Sequence, residues 1–112
     1  MNNKLNILWT NADPVTAELM VMMYAQNSIK NGWWDEVQVI IWGAPSKLVA
    51  EDVHVQQLIA DARESGVKFS VCESCANQLG VKSQLEELDL EIRFWGSPLT
   101  EIIKKNEHLI TI

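Results

Sequence analysis

Residues 37–48 read VQVIIWGAPSKL. Val37, Val39, Ile40, Ile41 and Trp42 form a nearly continuous apolar run, interrupted only by Gln38. A strand with one wet face would alternate apolar and polar residues. A run without alternation suits a strand covered on both faces. Gly43 then allows a sharp bend, and Pro45 presets the backbone for the first turn of a helix. A buried strand feeding straight into a helix is the building unit of a parallel sheet. The same W-G-[A/S]-P pattern returns at Trp95-Gly96-Ser97-Pro98, again after a short apolar run.

Working outward, the alternation continues along the chain. LNILWT (5–10) predicts a first buried strand, and Asp13-Pro14 an N-cap followed by proline at the first helical position. The helix that follows is expected to place Leu19, Met22, Met23 and Ile29 on one side and to stop near Gly32. SKLVAEDVHVQQLIADARES (46–65) predicts helix, with a break near Asp52 and an end at Gly66. VKFSVC (67–72) predicts the third strand, followed by a short helix ending at Gly80. Ser83 and Glu86 have the spacing of a capping box for a further helical turn or two. EIRFWG (91–96) predicts the fourth strand, Ser97-Pro98 the start of a last helix ending near Asn106, and LITI (109–112) a fifth strand.

Five strands separated by helices need crossover connections. The expected fold is α/β: a three-layer α/β/α sandwich around a five-stranded, mainly parallel sheet. The chain of 112 residues contains no low-complexity run, flexible linker or repeat, so residues 1–112 are expected to form one domain.

Composition narrows the function. The formal net charge is −6, with only nine Lys and Arg. A phosphate backbone would be repelled, so nucleic acid is not an expected partner. No run of 18 apolar residues exists, and MNNKLNILWTNADP lacks the pattern of a secretory leader. The expectation is a cytoplasmic protein that does not enter a membrane, whose thiols stay reduced.

In folds of this class, ligands sit outside the carboxyl ends of the strands. Here those ends carry Trp9 and Asn11, then Trp42 and Gly43, then Cys72, then Trp95 and Gly96. The glycines and prolines have a sufficient explanation in turn chemistry. The three tryptophans have two: they cover the rim of the core, or they wall a ligand pocket around Cys72.

Both cysteines lie in FSVCESCANQLG (69–80), as Cys72 and Cys75 in C-x-x-C spacing. A structural zinc site needs four ligands, and one cysteine pair with the isolated His54 and His108 does not supply them, so no metal is expected. A dithiol oxidoreductase is disfavoured by Glu73, whose charge opposes a neighbouring thiolate. A single working thiol fits better: Cys72 ends a buried strand where the first amides of a helix are unpaired and would hold a thiolate or persulfide. Cys75 is then either a resolving thiol or a small packing residue, and an inert, buried Cys72 stays open as well. A flavin is disfavoured because no phosphate-cradling loop follows LNILWT, and no cofactor is expected.

Taken whole, the chain resembles the DsrE/DsrF-like family of sulfur-relay proteins. The resemblance spans the full length. It rests on the order of elements, on G-V-K-F-S-V-C (66–72), on Cys72 lying eight residues before Gly80, and on G-x-P-L-T-E-I-I (96–103) before the closing strand. It implies strand order 4-3-2-1-5, assembly into homotrimers or hexamers, and a persulfide on the cysteine that ends the third strand, here Cys72. Sulfur-donor and sulfur-acceptor proteins are the partners it implies. One departure stands out: active carriers tend to have arginines before the glycine, and this chain has Gln78-Leu79-Gly80. Two readings follow. One is a sulfur carrier with Cys72 as acceptor and Cys75 as resolving thiol, which expects a thiol more reactive than free cysteine at neutral pH. The other is a non-catalytic oligomeric module binding a small molecule or partner at the tryptophan-lined strand ends. Assembly is expected to use the Met-rich first helix (Met20, Met22, Met23, Tyr24) and the Trp33-Trp34 pair.

Overall fold

A computed structural model describes residues 3–112. Five strands, β1 (Lys4–Trp9), β2 (Glu36–Ile41), β3 (Lys68–Cys72), β4 (Glu91–Arg93) and β5 (Leu109–Thr111), form one sheet in the order β4-β3-β2-β1-β5. Every neighbouring pair is parallel, so the sheet is parallel throughout rather than mainly so. The helical elements are α1 (Pro14–Thr16), a π-helical segment (Ala17–Met22), α2 (Met23–Lys30), α3 (Pro45–Glu51), α4 (Val53–Glu64), α5 (Glu73–Gln78), α6 (Lys82–Glu87) and α7 (Gly96–Lys104).

Strand alternation divides the core in two. Leu5, Ile7, Trp9, Val37, Val39, Ile41, Phe69 and Val71 face one side and share a core with residues of the π segment and of α2 to α6, among them Val21, Ala25, Val49, Ile59, Ala76 and Leu85. Ile40 and Cys72 face the other side, where Trp95, just before α7, and Ile102 of α7 cover them. Fully burying side chains of this size stabilises by about 1.5–3 kcal/mol each, which sets the register of every strand. The second face is covered only in part. Its half nearer the amino ends of the strands is polar: Glu36 lies 3.2 Å from Lys4 and 3.3 Å from Lys68. Burial pushes the Glu36 carboxyl upward, but the two lysines outweigh it and hold the group below its ordinary value.

Several local expectations are refined. The first helix is not uniform. Its π segment, marked by the Met23 N–H bonding back to Glu18 O, shifts the helical phase. Met22 is buried, as expected, but Leu19 and Met23 are 56% and 48% exposed. The break at Asp52 is present, and its carboxylate caps α4 by accepting from the Val55 N–H at 3.0 Å. The expected capping box does not form, because α6 begins at Lys82 and Ser83 already lies inside its first turn. The cause is upstream. At the end of α5, Gly80 (φ +70°) and Val81 bond back to Asn77 and Ala76, which drives Val81 into the core and restarts the helix at once. The fourth strand is shorter than expected, and α7 starts at Gly96, before Pro98. Proline is tolerated there because first-turn N–H groups have no helical acceptor.

Candidate functional site

The carboxyl ends of β2 and β3 hold the chemistry. Cys72 is the last residue of β3 and the residue that precedes α5. It is 3% exposed, packed with Ile40, Trp95 and Ile102 and with the partly buried Leu8, Trp42, Cys75 and Leu109. Cys75, on the first turn of α5, is only half-buried. Both thiols are free, and they interact with each other.

Cys75 opens onto a cleft of about 330 Å³ lined by Gly43, Ala44, Cys75, Gln78 and Leu79. The backbone N–H of Gly43 faces the Cys75 sulfur. Gly43 has φ +79°, a conformation that side-chain-bearing residues rarely adopt, so the residue type and the placement of that amide go together. Burial pushes the Cys75 thiol up, the neighbouring Cys72 adds to the rise, and the amides of Gly43 and of Cys75 itself offset part of it.

The other residues singled out in the sequence divide between core and surface. Trp9 is fully buried in the larger core, and Trp95 is 2% exposed in the smaller one, its indole N–H donating to Ser70 Oγ at 2.8 Å. Neither lines the cleft. Trp42 is partly buried against the cluster that holds Cys72. Asn11 is exposed, and its Oδ1 accepts from the Asp13 N–H. Of the two W-G-x-P copies, only the first bends through a positive-φ glycine. Gly96 simply begins α7.

One relevant residue escaped the sequence reading. Arg93 stands opposite Cys72 in the β3–β4 ladder, on the same face of the sheet. Its guanidinium lies over the Trp95 ring, 4.9 Å from the centroid. The same guanidinium lies 3.8 Å from the Glu91 carboxylate, and the only signal in the sequence for its place opposite Cys72 was the register of two parallel strands. Lys82 is drawn to Glu73, at 3.8 Å. Among the described residues, no three His, Cys, Asp or Glu side chains are grouped to hold a metal ion, and no helix is long and apolar enough to cross a membrane.

A half-covered parallel sheet in the order β4-β3-β2-β1-β5, with a cysteine ending β3, defines a class that the comparisons identify. The family model described as "DsrE/DsrF-like family" matches residues 16–112, and the chain belongs to that family. Its fold is closely similar to BT1422 from Bacteroides thetaiotaomicron, a conserved protein of unknown function, with 41% identity over 98% of this chain and 95% of that one and a TM-score of 0.95. MTH1491 from Methanobacterium thermoautotrophicum, also of unknown function, shares the fold at 11% identity, 99% and 100% coverage and a TM-score of 0.79. The ychN protein from E. coli does so at 14% identity, full coverage of both chains and a TM-score of 0.68. No match was found among curated proteins.

Proposed function

We propose that this protein carries sulfane sulfur as a persulfide on Cys72, within a sulfur relay between partner proteins. The observation that supports the reading most is the placement of two interacting free thiols at the carboxyl edge of the sheet, in a family of sulfur-relay proteins. The apolar packing of Ile40, Trp95 and Ile102 around Cys72 suits a stored sulfur that must be kept from water and stray reductants. Assembly as a homo-oligomer belongs to the same proposal. The exposed Val15, Leu19, Met20, Met23 and Trp33 provide its apolar contact surface.

The test is intact mass measurement after incubation with inorganic polysulfide. The wild type gains the mass of one sulfur atom and keeps it until dithiothreitol removes it, whereas Cys72→Ser keeps no added sulfur after the polysulfide is washed out and a low concentration of free thiol is added. If the wild type gains nothing while its thiols are titrated as reduced, the carrier reading is wrong.

A second reading keeps the protein non-catalytic, with the cleft holding a small apolar ligand. It is favoured by the uncharged lining of the cleft and by the upward shift of the Cys75 thiol. Under that reading, small apolar probes shift the amide resonances of Gly43, Ala44 and Leu79, and no sulfur is taken up.

A further inference from the structure

We infer that Cys75, not Cys72, is the thiol that meets sulfur donors and acceptors, and that sulfur reaches Cys72 only by passing through Cys75. The inference rests on the carrier reading and assigns the order of events within it.

Accessibility decides the first step. Transfer of a sulfane sulfur is an in-line displacement, so the attacking thiolate must reach the terminal sulfur of the donor along the donor's S–S axis. Cys72 is enclosed by Ile40, Trp95 and Ile102, with Cys75 packed against it on the side of the cleft. A donor persulfide cannot be aligned with the sulfur of a residue that is only 3% exposed. Cys75 forms part of the wall of a cleft of about 330 Å³, large enough for the end of a cysteine persulfide or a short polysulfide chain. The Gly43 amide faces the Cys75 sulfur and is positioned to hold negative charge as it develops there.

The chemistry conserves atoms and electrons. The Cys75 thiolate attacks the outermost sulfur of the donor. The donor's S–S bond breaks, its electron pair leaves with the donor's remaining sulfur, and Cys75–S–S⁻ forms. The Cys72 thiolate then attacks that terminal sulfur. The Cys75–S bond to it breaks, the proton released by Cys72 goes to the departing Cys75 sulfur, and Cys72 holds the persulfide. The mobile atom stays sulfane sulfur throughout, so no oxidant or reductant is consumed. Delivery to an acceptor thiolate runs the same two displacements in reverse. The buried cysteine is the store and the half-buried one is the port.

The experiment uses the full chain with inorganic polysulfide as the only donor. Samples are quenched with iodoacetamide at intervals, and the sulfur is located by peptide mass spectrometry. In the wild type, the extra sulfur is expected on Cys75 at early times and on Cys72 later. In Cys75→Ser and Cys75→Ala, Cys72 is expected to load at least about tenfold more slowly. In Cys72→Ser, Cys75 is expected to load at the wild-type rate and to lose its sulfur quickly to added thiol. Two cysteine replacements guard against a folding defect, which circular dichroism would reveal. If Cys72 loads at the wild-type rate in both Cys75 variants, or carries sulfur before Cys75 does in the wild type, the port assignment is overturned while the carrier reading stands. If neither cysteine ever carries sulfur, both fall.

Discussion

Trp95 donates its indole N–H to Ser70 Oγ at 2.8 Å in a position closed to water, and Ser70 lies two residues before Cys72 on the same face of β3. The bond ties the residue that precedes α7 to the strand that presents the buried cysteine. Replacing Ser70 with alanine leaves a buried N–H without an acceptor, at a cost of about 1–3 kcal/mol. Urea denaturation of Ser70→Ala, Trp95→Phe and the double variant should show coupling, with the double costing less than the sum. Strict additivity would mean that the bond contributes nothing.

The two copies of W-G-x-P predict opposite responses to one substitution. An added Cβ meets no atom within 4 Å at either Gly43 or Gly96, so sterics do not distinguish them. The backbone does: Gly43 has φ +79°, and Gly96 is helical. Gly43→Ala should destabilise by about 1–2 kcal/mol through the left-handed conformation alone. Gly96→Ala should stabilise by about 0.4–1 kcal/mol by restricting the unfolded chain. Thermal melts of the two variants decide it, and a shared sign would contradict the assigned backbone geometry.

Titration of the cleft thiol has a definite direction. Burial, with Cys72 adding to it, holds the proton on Cys75 to higher pH than on free cysteine. Iodoacetamide labelling of Cys75 should therefore climb about tenfold per pH unit through neutrality and reach its half-maximal rate above the ordinary thiol value of about 8.5. The folded chain keeps a proton there that the unfolded chain releases, so stability is full below the unfolded thiol's pKa and declines as pH rises through that range. Gly43→Ala, by displacing an amide that offsets the rise, should move the labelling profile further up. A profile centred below that of free cysteine would refute the desolvation argument.

How far the chain could be read without coordinates differs between fold and site. The parallel sheet and its layering followed from residues whose burial leaves little freedom, such as Val39, Ile41 and Val71, all fully buried, whereas the strand order came only with the family resemblance. What escaped depends on phase and depth. The π segment turns Leu19 and Met23 outward, because one extra residue in a turn rotates everything after it, and composition carries no trace of that. Trp9 and Trp95 stood at strand ends in the sequence, where rim and interior look alike. Only the tertiary packing, with Trp9 in the larger buried cluster and Trp95 in the smaller one with Ile102, places them inside. The candidate site was legible as to residue type, through the C-x-x-C pair, but not as to which cysteine faces outward. A helical turn placed three residues after a buried strand end carries Cys75 toward the cleft, and that requires the α5 geometry.

The adjacent tryptophans after α2 part company, and the last prediction follows from that. Trp34 turns inward: its indole N–H donates to Tyr24 Oη at 3.3 Å, and its ring lies 5.1 Å from that of His108. Trp33 is 54% exposed, its ring 6.1 Å from that of Tyr24, in a chain segment that also exposes Leu19 and Met23. If this surface is where copies of the chain meet, Trp33→Ser should shift sedimentation at micromolar concentration toward the monomer without lowering the melting temperature of the monomer itself. Trp34→Ala should instead destabilise the fold by about 3 kcal/mol or somewhat less, the low end for truncating a packed aromatic, since it is only partly buried. A wild type that sediments as a monomer at that concentration would remove this surface from the proposal, leaving the cysteine chemistry to stand on its own test.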